Sequence, residues 1–409
     1  MGAGTELELE ISTVAHGGIF VARHEGRVVF VADTLPGERV LARITDDSHD
    51  RFWRADTLRV LEPSPDRRPH VWAEADVSRA PGQRAGGAEF GHITAERQRA
   101  LKREVIEDSL ARMARLELDV PVQELPGEPG GTGWRTRVRL HVDEEGRIGP
   151  YAARSHTVVE VADLPLATGE LREIAALEQR VPGAQRVDLI APSASPARRL
   201  VLGDESPERE SITEQVGDRE FRLDLRGFWQ VHRHAATTLT EAVGRAVDDS
   251  LFDPAAANLD LYGGVGLLAA AVGDRFGGTT RITSVESDAR ATEYARENLG
   301  DWAGAAAVTA RVDRYLDALV RSASTAERAR LSRATVVLDP PRAGAGKQVV
   351  AALGSLRPAQ IVYVACDPVA LARDLGALGR SGYRVASMEA FDLFPHTHHV
   401  EAVAALVRD

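Results

Sequence analysis

Cysteine is almost missing from this chain: Cys366 is the only one in 409 residues. One thiol excludes an internal disulfide, a multi-thiolate metal or iron–sulfur site and a CxxC redox pair. It also argues against a secreted, disulfide-built protein. Long apolar runs are absent as well, so no segment reads as a membrane span. The first residues, MGAGTELELEIST, are acidic and lack the apolar stretch of a secretory leader. The expected location is the cytoplasm. Lysine is scarce: Lys102 and Lys347 stand among 50 Lys and Arg, against 61 Asp and Glu, for a net charge of −11. That overall sign does not favour a polyanionic partner, yet a local arginine face on an acidic protein suffices to bind one. The composition, 44% hydrophobic, is globular, and the length suits two or three domains.

What is present divides into five stretches. Residues 1–65 alternate polar and apolar residues in short runs cut by Gly17-Gly18, Gly26 and Pro36-Gly37. That pattern predicts a small β-barrel of the OB kind. Residues 66–92 read as a turn-rich linker. Residues 93–125 are helical: Leu101, Val105, Ile106, Leu110, Met113 and Leu116 recur at helical spacing behind Thr94 as cap. Residues 126–215 form a central α+β region, with strands in WRTRVRLHVDEEGRIG and SHTVVEV and a helix in ELREIAALEQRV. Residues 216–409 alternate helices and strands, which predicts an α/β, Rossmann-like parallel sheet.

The α/β part carries the first chemical signal. LDLYGGVGLLAAAV is strand, glycine turn and helix. After Tyr262, the glycines Gly263, Gly264 and Gly266 let backbone approach a ligand closely. The full G-x-G-x-x-G fingerprint and the Walker lysine are both missing, which argues against a pyrophosphate-bearing ligand. Glu286 closes the next strand, where a carboxylate can hold ribose hydroxyls. Asp313 is placed at a third strand end, near an adenine. The set predicts a nucleoside cofactor without pyrophosphate, S-adenosylmethionine.

The second signal lies further on. VVLDPPRAG puts Asp339 after a strand, on a loop stiffened by Pro340 and Pro341. Cys366 follows the apolar run IVYVA, where a parallel strand would end and ligands gather. A free cysteine is often just a small buried hydrophobe, but the surrounding motifs favour a nucleophile. Glu401 lies in FDLFPHTHHVEAVAAL with Asp392, Thr397, His398 and His399 nearby; the histidines lack metal-site spacing. A thiol, a methyl donor and a carboxylate suit pyrimidine chemistry. Thiolate attack at C6 makes C5 enolate-like, C5 takes the methyl, and a base removes the C5 proton. Cys366 is then the nucleophile and Glu401 the base. Gln230, in FWQVH, is a candidate reader of the uracil edge. Arg135, Arg137 and Arg139 share one strand face and are candidates for RNA backbone contact.

With these pieces in place, the chain resembles the bacterial TrmA/RumA-like family of RNA 5-methyluridine methyltransferases. Residues 5–62 resemble its TRAM domain, and WRTRVRL with SHTVVEV its central domain. FWQVH, LDLYGGVG, VVLDPPRAG, YVACDPVALARDL and DLFPHTHHVEAVAAL resemble its catalytic signatures. The resemblance implies nucleophile and base roles at Cys366 and Glu401. It implies a target or cofactor contact at Gln230, an active-site place for Asp339 and ribose binding at Glu286. It implies transfer or ribosomal RNA as substrate.

The departures are specific. The family's C-G-G-C cluster pair reads Ala85-Gly86-Gly87-Ala88, and VADLPLA lacks the later cysteine, so no iron–sulfur cluster is expected. Packing or hydrogen bonds must then hold the region of residues 75–100. The family's DLYCG reads Asp260-Leu261-Tyr262-Gly263-Gly264. Its CNP reads Cys366-Asp367-Pro368, which adds a carboxylate beside the nucleophile and disfavours a thiolate unless compensated. Alternatives remain: RNA cytosine-C5 methylation, which as a class uses a second cysteine as base; a small-molecule or protein methyltransferase; and a non-catalytic RNA-binding or assembly factor. A monomer is expected, since the enzyme must wrap a large substrate by itself.

Overall fold

The structure, a computed structural model, describes residues 2–126, 130–203 and 209–409. Five strands open the chain: β1 (Glu6–Ala15), β2 (Ile19–His24), β3 (Arg27–Ala32), β4 (Arg39–Asp46) and β5 (Phe52–Glu62). They close into a barrel in the order β1-β2-β3-β5-β4. The polar/apolar alternation decides which side faces in: Leu9 and Ile11, Val29 and Val31, and Val40, Ala42 and Ile44 are buried, while residues between them are wholly or partly exposed. Closure removes the unpaired sheet edges that a small all-β unit would otherwise present.

The stretch after the barrel is held by one arginine. Arg84, 3% exposed, donates to Asp33 Oδ2 (2.6 Å), Thr57 O (2.8 Å), Val77 O (2.8 Å) and Arg79 O (2.9 Å). Two acceptors belong to the barrel and two to the linker. Hydrogen bonds thus gather the region where the sequence has lost its cysteines.

Helix α1 (Ala95–Ser109) buries Leu101 and Ile106 as its periodicity predicts. Beyond Ser109 the helix does not keep that period. Leu110–Ala114 forms a π turn, and Arg115 ends it at φ +56°. The wider turn rotates Met113 out of the apolar stripe, leaving it 45% exposed, against the expectation from spacing. Thr94 occupies the N-cap position but makes no side-chain capping bond. A short strand β6 (Val122–Gln123) follows.

The central region is a four-stranded antiparallel sheet in the order β10-β9-β7-β8. Its strands are β7 (Arg137–Val142), β8 (Ile148–Gly149), β9 (Arg186–Ile190) and β10 (Arg198–Leu202), with α2 (Gly169–Ile174) between β8 and β9. SHTVVEV contributes an isolated bridge, Tyr151 to Val158, rather than a strand. The hairpin β11 (Ser211–Val216) and β12 (Arg219–Asp224) and helix α3 (Ala235–Ala246) lead into the largest unit.

That unit contains β13 (Asn258–Leu261), α4 (Leu267–Phe276), β14 (Ile282–Glu286), α5 (Ala289–Asn298), β15 (Ala305–Thr309), α6 (Val312–Ser322) and α7 (Thr325–Leu331). It continues with β16 (Thr335–Leu338), α8 (Gly346–Leu356), β17 (Gln360–Ala365), α9 (Pro368–Arg380), β18 (Tyr383–Phe391) and β19 (Glu401–Arg408). The sheet order is β15-β14-β13-β16-β17-β19-β18-β6. From β13 the chain moves outward through β14 and β15, then returns to lay β16 on the other side of β13. The β13/β16 boundary is therefore a topological switch point, where a crevice opens at the carboxyl ends of the strands. β13 and β16 are buried throughout, as parallel strands covered on both faces are. Among the described residues no helix is long and apolar enough to cross a membrane.

Candidate active site

The last hairpin creates the catalytic neighbourhood. β19 runs antiparallel to β17 with Ala402 opposite Ala365. One step on, the same register sets Cys366 opposite Glu401, which also faces Phe391 of β18. The loop between β18 and β19 is pinned from α1. Lys102 Nζ donates to Asp392 Oδ1 (2.5 Å) and Phe394 O (3.0 Å), and Gln98 Oε1 accepts from the His396 amide (2.7 Å). Lys102, a helix residue of the apolar side, is thus neutralised in the core rather than solvated.

The cofactor side is built at the switch point. Tyr262 adopts φ +63° and Gly264 φ +54°, so the chain turns sharply away from β13. A Cβ at Gly263 would lie 1.9 Å from Ser284 Oγ, so the glycine is required by the neighbouring strand. The Gly264 amide donates to Glu286 Oε2 (3.2 Å), and the Asp288 amide and Ser287 hydroxyl donate to Oε1 (2.7 and 3.0 Å). The Asp339–Arg342 loop follows β16. It is fixed beyond its prolines by the Ala345 amide, which donates to Tyr363 Oη (2.9 Å) and Asp374 Oδ2 (2.8 Å).

Both sides open into one cavity of about 990 Å³. Tyr262, Gly264 and Glu286 of the donor side line it together with Cys366, Asp339 and Glu401 of the catalytic side, and Gln230 is part of the same lining. The Gln230 amide makes no hydrogen bond within the described residues. Gly263 and Gly266 shape the turn behind the lining. Asp313 is not itself part of the lining, but after burial it is the next cause of the raised pKa of Tyr262, which is. It lies in the first turn of α6, beyond the end of β15, and its carboxylate is paired with Arg311 Nη2 at 2.9 Å.

Carboxylates crowd the catalytic side. Burial raises Glu401 well above the usual carboxylate range; Asp339 adds to this and the Arg342 guanidinium opposes it. Burial and the neighbouring Asp260 push Asp339 up to about 7. Asp260, fully buried with Oδ2 bonded to Ser284 Oγ (3.1 Å), also rises to about 7, mainly through burial. Burial, then Glu401 and Asp339, push the Cys366 thiol up to about 12, with Arg342 again opposing. Asp367 adds least to that rise. Its own pKa is lowered: burial disfavours the carboxylate, but bonds from His16 Nε2 (2.8 Å) and the Ala370 amide (2.8 Å) outweigh it.

Several groups at the cavity had no assigned role from sequence. Arg342 is the cation beside both Cys366 and Glu401. Glu89 reaches the cavity directly after Ala85–Ala88, its Oε2 3.5 Å from His398 Nδ1. Phe228 stands 74% exposed at the rim, two residues before Gln230. The signal for Arg342 and Phe228 was present, since both lie inside the quoted motifs; for Glu89 only the fold supplies it.

The three arginines of the central strand divide. Arg135 lines the cavity. Arg139 is exposed and pairs with Asp188 Oδ1 (3.0 Å). Arg137 turns inward: Nη1 donates to Gly227 O (2.8 Å), Nη2 lies 3.7 Å from Glu214 Oε1, and the side chain is 13% exposed. It is a fastener between β7 and the segment carrying Gln230, not a free phosphate contact.

Comparison with known proteins follows this geometry. Residues 319–409 match the tRNA (Uracil-5-)-methyltransferase family, and residues 3–56 match the TRAM domain. An uncharacterized RNA methyltransferase of Streptomyces coelicolor is 39% identical, covering 98% of this chain and 93% of its own. An uncharacterized RNA methyltransferase of Bifidobacterium longum is 34% identical over 98% of this chain and 97% of its own. The Pyrococcus abyssi tRNA (uracil-54, C5)-methyltransferase, solved with S-adenosyl-L-homocysteine, shares the fold: its TM-score is 0.70 at 21% identity, over 98% of this chain and 99% of that one.

Proposed function

This chain belongs to the TrmA/RumA-like family of RNA uracil-5 methyltransferases, and from that premise we propose that Cys366 and Glu401 carry its reaction as nucleophile and base. The enzyme methylates uracil C5 in RNA, transfer or ribosomal, with S-adenosylmethionine as donor. The observation that carries the residue roles is the β17/β19 register, which sets the thiol opposite the carboxylate at the mouth of the switch-point crevice.

The pocket suits the donor. Gly263 leaves room where a side chain would collide with Ser284, and the Glu286 carboxylate lines the same cavity for ribose hydroxyls. When bound, S-adenosylmethionine supplies a sulfonium charge that favours the thiolate and an electrophilic methyl that C5 takes up. Cys366 gives its proton to solvent, its sulfur bonds to C6 as the C5–C6 π pair moves toward O4, and C5 bonds to the methyl as that pair returns. Arg342 offsets the negative charge gathered there by Glu401 and Asp339. Glu401 then takes the C5 proton, and the C6–S bond breaks to return the thiolate and restore the aromatic ring. A carboxylate raised by burial is better matched to a carbon-bound proton than one in water. Gln230, its amide unpaired, reads the uracil edge. The base is flipped out of its stack to reach this depth. Cytosine methylation by the two-cysteine route has no second thiol available here. We place this activity in the cytoplasm.

The test is covalent trapping. Fluorine at C5 cannot leave as a proton, so 5-fluorouridine-containing transfer or ribosomal RNA with methyl donor will give a slow-migrating protein–RNA band. The band disappears in Cys366→Ala. A wild-type protein that binds the RNA and methyl donor without forming the band overturns the proposed roles.

A further inference from the structure

The barrel touches the nucleophile's own loop. His16 sits in the turn between β1 and β2, and its Nε2 is 2.8 Å from Asp367 Oδ2, the residue after Cys366. The other carboxylate oxygen, Oδ1, accepts the Ala370 amide and caps α9. Asp367 is therefore held at both oxygens, one by its own helix and one by the barrel. The turn is tightly seated: a Cβ at Gly18 would come 2.8 Å from His398 Cβ. Cys366 lines both the main cavity and the narrow crevice beneath His16.

We propose that His16 is a positioning residue for the nucleophile, binding Asp367 so that seating of the barrel sets both the orientation of the Cys366 loop and the charge beside the sulfur. The role rests on Cys366 being the nucleophile. A neutral side chain at position 367 would need only a hydrogen bond. An aspartate puts a negative charge next to a thiol already disfavoured by Glu401 and Asp339. A protonated histidine from the barrel cancels that added charge. The barrel then contributes more to the reaction than RNA affinity.

The charge environment supports the pairing. The hydrogen bond to Asp367 raises His16, with burial opposing, and Asp367 is lowered in turn. The crevice brings Lys102 from α1, Cys366 and Asp367 from the β17–α9 junction, and His398 and His399 from the loop before β19. Lys102 is committed to Asp392, and His398 faces Glu89. Arg373 on α9 interacts with Asp367 but is bonded to Asp374 and Ala343 O. His16 is the cation whose ring contacts the Asp367 carboxylate. Because its pKa is raised in the fold, the charged pair is complete at low pH and is lost as pH rises through the His16 titration.

The single cysteine makes the test clean, because a thiol reagent reports on Cys366 alone. Methyl methanethiosulfonate labelling of the full chain is followed from pH 5.5 to 9 in wild type, His16→Ala, Asp367→Asn and the double variant. The proposal expects His16→Ala to label about threefold more slowly than wild type at pH 6, a shift of roughly half a pKa unit. The gap closes toward pH 9. In the Asp367→Asn background, His16→Ala changes the labelling rate little. A pH-independent slowing, or the same slowing in both backgrounds, overturns charge compensation and leaves only packing. No slowing in any variant overturns the whole proposal. His16→Gln, which can keep a hydrogen bond, restores the loop but not the low-pH advantage. Thermal melts on each variant separate these results from unfolding. Labelling needs no RNA, so failure of the covalent RNA adduct would strike the nucleophile assignment without altering this outcome.

Discussion

Cys366 faces Glu401 across β17 and β19, one step beyond the Ala365–Ala402 pair, although a helix and a strand separate them in the chain. The pairing makes a division of labour testable. Glu401→Gln keeps shape and burial but cannot take the C5 proton. It is expected to form the methylated covalent adduct on ordinary RNA and then stall. Turnover falls by roughly 10²–10⁴-fold, the usual worth of a general base. Gel analysis after a single turnover reads the stalled species. Ordinary turnover with no accumulated adduct would assign the base elsewhere.

Asp339 gives a pH prediction with a definite sign. Its pKa in the fold, about 7, exceeds the unfolded value, so the protonated form favours folding below that unfolded value, and the benefit is lost as pH rises through 7. Asp339→Asn stays neutral throughout. Relative to wild type it should be nearly neutral at pH 4 and about 1–2 kcal/mol more stable at pH 8, while losing activity. Melting curves across that range check it; a gain that is largest at pH 4 would contradict the assigned environment.

Arg137 should behave as a structural residue. Arg137→Ala removes the donor to Gly227 O and leaves Glu214 facing no cation, at a cost of about 2–4 kcal/mol. Denaturant unfolding reads the loss. RNA affinity of the folded fraction should keep its salt slope, because a neutralised phosphate is what sets that slope. A slope reduced by about one contact would return Arg137 to the RNA surface.

Arg84 ties the stretch after the barrel to the barrel by hydrogen bonds. Arg84→Met strands the Asp33 carboxylate and three carbonyls, and is expected to cost about 3–5 kcal/mol. Limited proteolysis should then cut first within residues 66–92. Wild-type resistance there would mean that the linker is held by its apolar contacts alone.

Much of the architecture could be read along the chain. Alternation in ELELEIST and RVVFVA gave strands whose buried members could be named, because a closed barrel has one inside. The strand-end motifs around Gly263, Asp339 and Cys366 converge on one cavity because parallel strands share an edge. Met113 shows where local reading fails. Helical spacing carries no notice of a π turn, which shifts the phase without changing the residues. Arg135, Arg137 and Arg139 alternate along the chain, but alternation does not say which of them is covered: Arg137 is tied to Gly227 O while Arg139 is exposed.

The order of residues alone determined most element types, the lone thiol and the glycine turn, since these follow from periodicity and side-chain chemistry within a few positions. The folded chain decided that Glu401 meets Cys366, that His16 reaches Asp367, that Arg137 points inward and that Arg84 gathers the linker. Those pairings depend on strand register and on packing summed over distant segments, and no short window of sequence contains that sum.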